Sequence, residues 1–464
     1  MTRLAWTLML LILASCAGFS GESDVPGRPP NVVLLVGDGF GVGAWSLGRA
    51  VAEARGESLA FSTAETVGFL DTRPAGARVT DSAAAATAWS LGMLAPVYSI
   101  GIPAGEDSSE VLFETLGRAG RACGFVTTAR VTHATPGPFY ARVDHRGREN
   151  DMAAQLVKAG FTVALGGGAR HFRGEEAGGR RQDQRDLIAE ARVAGVAVVE
   201  DLHEALPTDR PVLGLLADSH LPHSLDSSEA DPDLAEMCVA AIERLRASGT
   251  PWFLLAEEAH VDIACHEHDG AGVAANVLRL DRALRAVLGT VDLDSTLVLV
   301  VADHATDSPT LMEYAAPESL SVVTMSVARM EAEVFGGESW EGTPAALEAA
   351  ALPVIDRGAR HTGLRSADLD RLITGESHYD RKTALGGILS GRFGISFIPY
   401  EDHLRSTRVH GHTGEPVPVR AWGVRAGEAR GIRTHDLFGQ WLRDVLGVAW
   451  PRARTSIDTE HSPG

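Results

Sequence analysis

Cysteine is scarce, at four residues in 464, so a small fold stapled by disulfides is excluded. No run of Lys and Arg occurs, and 42 Lys and Arg face 61 Asp and Glu, for a formal net charge of −19. A nucleic-acid partner needs clustered cations along its phosphates, so that class of partner is excluded. Any phosphate this chain handles must meet local positive charge, such as metal ions. There is no repeat of fixed period and no second hydrophobic span after the N-terminal one. With 45% apolar residues, the chain is not disordered, and it has the length for one large α/β domain or two ordinary ones.

Residues 4–14, LAWTLMLLILA, follow the single positive Arg3 and fall short of the about 20 helical residues that cross a bilayer. They read as a secretory signal. Leu13-Ala14-Ser15-Cys16 resembles the lipobox of bacterial lipoproteins, in which the Cys carries the lipid; a plain signal with a chance Cys is the alternative. The expectation is a signal peptide over 1–15, a small, polar, Pro-rich tether over 16–30, and an exported domain anchored by lipid to a periplasm-facing membrane or the cell surface. Acylation of Cys16 leaves Cys123, Cys238 and Cys265, enough for at most one internal bridge.

From residue 31 onward, short apolar runs alternate with helical stretches. Strands are predicted at Asn31 to Val36, Gly124 to Thr128, Phe161 to Leu165, Val212 to Leu216, Trp252 to Ala256, Thr296 to Ala302 and Val417 to Gly423. Helices are predicted near 43–55, 231–247, 270–288 and 434–446. Continuous apolar strands separated by helices predict an α/β fold: a three-layer sandwich around a large, mostly parallel central sheet. Ligands of such sheets bind beyond the carboxyl ends of the strands. Residues 305–410 break the rhythm and are read as a cap region inserted over the active-site face of a single catalytic domain, 31–464.

Several segments carry chemistry at those strand ends. Gly39-x-Gly41-x-x-Ala44 meets a weak dinucleotide fingerprint, but Asp38 in the same turn would face the pyrophosphate. A carboxylate there makes sense if it holds a cation. Thr80-Asp81-Ser82 opens an Ala-rich helix, where Asp81 or Ser82 caps the end and Ser82 Oγ meets free backbone N–H groups. No G-x-S-x-G is present, so an esterase-type elbow is not supported, and coordination to a metal is one route to an activated Ser. Glu257 to Asp269 holds eight acidic or His side chains, with Asp262 and His266 four apart on one helical face. Asp303-His304 ends a buried strand, and His410-Gly-His412 precedes the last one. His with carboxylate is the ligand set of catalytic Zn²⁺, and Thr hydroxyl with carboxylate suits Mg²⁺.

In order, Gly37-Asp38-Gly39, the Asp81-Ser82 helix start, Thr127 to Pro136, Glu257 to His266, Ala302-Asp303-His304 and His412-Thr413-Gly414 resemble alkaline phosphatase. The resemblance implies a hydrolase of phosphate monoesters working through a phosphoserine at Ser82. It implies one zinc on Asp38, Asp303, His304 and Ser82, a second on Asp262, His266 and His412, and Mg²⁺ on Asp38, Thr135 and Glu257, with His133 beside it. Arg146, eleven residues after Thr135, would clamp phosphate, with Asp81 orienting it and Arg142 as its rival. Glu258, His260, His268 and His410 are rival ligands. Ile263 stands where many members carry Lys, His or Trp, which implies altered affinity for phosphate. A homodimer is expected only because the family is often dimeric. The alternatives are a phosphodiesterase of the same superfamily, which commonly uses Thr as nucleophile, and a non-catalytic phosphate-binding lipoprotein.

Overall fold

A computed structural model describes residues 30–449, apart from 106–108, 203–205, 207–208, 337–339, 341–342, 361–363, 376 and 399–408. The signal, Cys16 and nearly all of the tether expected at the N-terminus lie outside the described residues. The centre is a ten-stranded sheet: β1 (Asn31–Gly37), β2 (Thr66–Asp71), β3 (Ala122–Arg130), β4 (Val163–Gly167), β5 (Ala197–Val199), β6 (Val212–Leu215), β7 (Trp252–Glu258), β8 (Thr296–Ala302), and, after four two-residue strands outside it, β13 (Val417–Gly423) and β14 (Gly431–Thr434). The order across the sheet is β14-β2-β13-β8-β1-β7-β3-β4-β6-β5. Only β13 runs against its neighbours, pairing antiparallel with β2 and β8.

Val32 to Val36 and Leu297 to Ala302 are fully buried, which is why β1 and β8 are continuous apolar runs without alternation. Helices Val42–Ala54, Leu234–Arg246 and Gly270–Thr290 pack together as one layer, and Ser82–Leu91 packs with His435–Val445 in the other. The fold is therefore the expected α/β sandwich. Strands β2, β5 and β14 are not among those the sequence predicts. Val67 and Phe69 of β2 point to the exposed side, and the other two strands have three and four residues.

The parallel register sets up the site. Gly37 lies opposite both Glu258 on β7 and Ala302 on β8, so Asp38, Glu257 and Asp303 leave the sheet at one end. Past β8, β9 (Ala305–Thr306) pairs antiparallel with β12 (His412–Thr413), Thr306 facing His412. Among the described residues, the chain between them makes the β10 (Thr310–Leu311) and β11 (Ile395–Ser396) pair and five helices: Pro317–Leu320, Val327–Phe335, Pro344–Ala359, Ser366–Thr374 and His378–Arg392. This helical layer is tied to the core beside the site. Asp269 accepts from the backbone N–H of Gly272 at 2.8 Å and of Val327 at 3.0 Å, capping one helix of each part. Thr383 Oγ1 donates to the carbonyl of His266 at 3.1 Å, and Ser390 Oγ to that of His268 at 2.6 Å.

His435, at the start of the last helix, is buried, and the Trp89 indole N–H donates to its Nδ1 at 2.7 Å. Burial pushes its pKa down to about 4. The unfolded imidazole takes a proton near pH 6.5 while the folded one stays neutral, so this contribution is present above about 6.5 and is lost as pH falls toward about 4. The expected loss is roughly 3 kcal/mol. Urea titrations across that interval measure it. Substitution of His435 by Gln should flatten the fall, and an identical pH dependence in both proteins would exclude this assignment.

Candidate metal centre and phosphate site

Asp38 follows β1 directly and enters a tight turn in which Gly39 adopts φ +66. A Cβ on Gly39 would sit 2.8 Å from the Asp262 backbone, so only glycine lets the two carboxylate-bearing segments approach. Its N–H donates to Asp303 Oδ1 at 3.1 Å. The glycines of this turn bring acidic chains together, as a dinucleotide loop would not.

Ser82 is the first residue of its helix, and Asp81 is the N-cap, accepting from Ala84 N–H at 3.1 Å. The same Oδ1 accepts from Tyr98 N–H at 3.0 Å, while Oδ2 receives Arg146 Nη1 at 3.0 Å. Asp81 thus fixes the helix start and aims the guanidinium with one carboxylate. Arg142 is occupied elsewhere, donating to Glu114 and to the Ser109 carbonyl. Of the two rival arginines, only Arg146 reaches the Ser82 segment.

Around Ser82 the polar atoms stand apart at a regular spacing. Ser82 Oγ is 3.3 Å from His304 Nε2 and 3.5 Å from Asp38 Oδ1. His304 Nε2 is 3.4 Å from both Asp38 Oδ1 and Asp303 Oδ2. These separations are long for hydrogen bonds. They match two atoms that each sit about 2.0–2.1 Å from a shared tetrahedral Zn²⁺, which places them about 3.3 Å apart. His266 Nε2 lies 3.4 Å from Asp262 Oδ2, and His412 Nε2 3.8 Å from Asp262 Oδ1. His133 Nδ1 lies 3.6 Å from Glu257 Oε1.

Three compact sets emerge among the described residues: Asp38, Asp303 and His304; Asp38, His133 and Glu257; and Asp262, His304 and His412. The first brings together three of the four residues named for one zinc, the fourth being Ser82. In the second, His133 stands directly with Asp38 and Glu257. The third differs from the expected Asp262, His266, His412: the His304 and His412 rings stack at 3.7 Å, while His266 reaches Asp262 from the other side and its ring centre lies 5.2 Å from that of His412. Asp38 Oδ2, His133 Nδ1, Thr135 Oγ1, Glu257 Oε1 and Asp303 Oδ2 are all buried with no hydrogen-bond partner. Buried polar atoms are normally paired, so these five orphans fit cation ligands.

The electrostatics agree. Burial, reinforced by the charges of Asp303, Asp262 and Glu257, pushes the Asp38 carboxyl well above its usual range. Burial and Asp262 push Asp303 up to about 7. Without a counter-charge these groups are drawn toward their protonated forms, whereas a divalent cation among them would favour the ionised ones. Asp262 goes the other way: burial raises it, but His266, foremost among its neighbours, holds it well below the usual range. Burial, with His412 adding to it, pushes His304 down, and burial brings His412 to about 4, so both rings are neutral and able to ligate. The centre is closed at its base and open above. Asp303 and His304 are fully buried, while the side chains of Asp262, His133, His266 and Arg146 keep 13%, 14%, 20% and 25% exposure.

Two rival ligands have other partners. Glu258 receives Arg279 Nε at 2.7 Å, and His260 Nδ1 lies 3.3 Å from Thr128 Oγ1. His268 stacks on Phe397, 3.7 Å from Asp307 Oδ2, and His410 belongs to none of the three compact sets. Cys123, Cys238 and Cys265 are buried free thiols, so the bridge that three cysteines permit is not formed. Sequence reasoning missed Thr127, whose hydroxyl donates to Glu257 Oε2 and leaves Oε1 facing His133. Its signal is the β3–β7 register, in which Thr127 faces Glu257, and that pairing is invisible in one strand's pattern.

The alkaline phosphatase family model matches residues 30–347. Streptomycin-6-phosphate phosphatase of Streptomyces griseus is 31% identical over 487 aligned positions, covering 93% of this chain and 94% of that one. Alkaline phosphatase 3 of Bacillus subtilis is 34% identical over 291, covering 60% of this chain and 61% of its own length. The crystal structure of Thermus thermophilus alkaline phosphatase superposes with a TM-score of 0.80 at 25% identity, covering 91% and 92% of the two chains. Fold, strand-end carboxylates and sequence similarity over most of its length agree: the chain belongs to the alkaline phosphatase family.

Proposed function

We propose that this chain hydrolyses phosphate monoesters through a phosphoserine on Ser82, in a site for two Zn²⁺ and one Mg²⁺. The observation that carries the reading is Ser82 Oγ at a helix N-terminus, 3.3 Å from His304 Nε2 and 3.5 Å from Asp38 Oδ1, in a centre with five orphaned candidate ligand atoms. Asp38, Asp303 and His304 would hold the zinc nearest Ser82; Asp262, His266 and His412 the second; Asp38, Thr135 and Glu257, with His133, the magnesium. Bound there, the cations would favour the alkoxide of Ser82 and offset charge on the phosphoryl oxygens and leaving group.

The protein's own part is positioning. The helix end presents backbone N–H groups and a positive dipole beside the nucleophile. In the first step the Oγ–P bond forms as the ester P–O bond breaks; in the second, water attacks phosphorus and releases Ser82. Arg146, held through Nη1 by Asp81, has further donors for the phosphoryl oxygens, in the fork geometry that Lys lacks. Arg146→Ala is expected to weaken competitive inhibition by inorganic phosphate roughly 10- to 100-fold. Zinc content should stay unchanged in the same variant; an unchanged inhibition constant would place the clamp elsewhere.

The substrates supported best are small phosphate monoesters, as the Streptomyces griseus relative's name also indicates. A serine rather than a threonine at position 82 disfavours the diesterase alternative. Parallel assays at alkaline pH with p-nitrophenyl phosphate and bis-p-nitrophenyl phosphate test the choice. Faster turnover of the monoester is expected; faster turnover of the diester would replace this reading.

A further inference from the structure

We infer that Thr306 is a positioning residue shared by both proposed zinc sites, its one hydroxyl holding a ligand of each. The inference rests on the two-zinc reading above. Thr306 is buried at 1% exposure in β9, with its Oγ1 2.5 Å from Asp262 Oδ1 and 3.1 Å from His304 Nδ1. Asp262 and His304 come from different segments and belong to different proposed sites.

The proton arrangement follows from what each group is able to do. A carboxylate that serves as a metal ligand is ionised and only accepts, so at 2.5 Å the threonine O–H donates to Asp262 Oδ1. The hydroxyl oxygen then has lone pairs for an N–H, and His304 Nδ1 supplies it. That selects the His304 tautomer with hydrogen on Nδ1 and a bare lone pair on Nε2. Nε2 is the atom that faces Asp38, Asp303 and Ser82 at 3.3–3.4 Å. The other tautomer would set two lone pairs against each other at Thr306 and put a hydrogen where a cation belongs.

At the other end, the bond to Oδ1 fixes the Asp262 carboxylate with Oδ2 turned to His266 Nε2 at 3.4 Å. The backbone adds a third tie. Thr306 is the ladder partner of His412, whose ring stacks on that of His304. Ligands from three separate segments thus meet around one threonine. A shift of its hydroxyl disturbs both sites together.

Contacts that orient metal ligands in this way are typically worth 10- to 100-fold in metal affinity. The test compares the full chain with Thr306→Val, which keeps the branched shape and loses the hydroxyl, and with Thr306→Ser, which keeps the hydroxyl. Zn²⁺ bound per chain and the dissociation constant of each ion are read by competition with a chromophoric chelator. Melting of the metal-free proteins reports folding separately. The expected result is weaker binding at both sites in Thr306→Val, about 10- to 100-fold, with Thr306→Ser close to the parent. If the Val variant does not fold, Thr306→Ala takes its place. Equal zinc affinity without the hydroxyl overturns the inference, and loss at one site alone overturns the shared role. A parent chain that takes up no zinc overturns the two-zinc reading itself, an outcome distinct from the other two.

Discussion

Substitution of Ser82 by Ala is expected to lower kcat for p-nitrophenyl phosphate by at least about 10³-fold, since losing a covalent nucleophile removes the whole two-step route. The fold should survive. Ser82 is the first residue of an Ala-rich helix whose cap is Asp81, so the change leaves the cap bonds to Ala84 and Tyr98 in place. Zinc content is expected to fall modestly, because Asp38, Asp303 and His304 remain. Acid quenching of the parent with labelled substrate should trap label on the chain, and the variant should trap none. A variant that turns over substrate at the parental rate would remove Ser82 from the chemistry.

Stripping divalent cations with EDTA should have the second large effect, on activity and stability together. Activity should drop to background and return only with Zn²⁺ and Mg²⁺ combined. An ion present at about 1,000 times its Kd contributes about 4 kcal/mol, so losing the set should lower the melting midpoint by on the order of 10 °C. The carboxylates left behind repel one another: Asp38 stands well above the usual range and Asp303 at about 7. Because Asp303 must lose its proton to ligate, zinc binding should release protons and weaken as pH falls below about 7. Calorimetry of zinc uptake in two buffers of different ionisation enthalpy measures that release. Full activity and an unchanged midpoint after exhaustive chelation would remove metals from the proposal.

Much of this was legible in the chain itself. Buried parallel strands such as Asn31–Gly37 and Thr296–Ala302 announce themselves as uninterrupted apolar runs, and the charged residues that end them stand out for the same reason. Strands at the margin do not. In β2 one face is exposed, and β14 is four residues long, so neither periodicity nor composition separates them from loops. In the site, Asp38, Ser82, Asp303 and His304 could be named from sequence because each sits where a regular element starts or stops. That His304 joins Asp262 and His412 in one compact set could not, since the stacking of His304 on His412 depends on a two-residue ladder spanning the inserted helices. The hydroxyls of Thr127 and Thr306 were invisible for a related reason: their partners, Glu257 and Asp262, are 130 and 44 residues away.

That two-residue ladder also sets an order in time. During synthesis the nucleophile, its helix and the carboxylates of β1, β7 and β8 leave the ribosome long before His412 does, and the ladder between Thr306 and His412 closes only once the inserted helices between them have been made. A nascent chain arrested ahead of that imidazole carries most of the machinery with its last coordinating arm still unmade, so the finished centre is born late, after the helical layer has already taken shape.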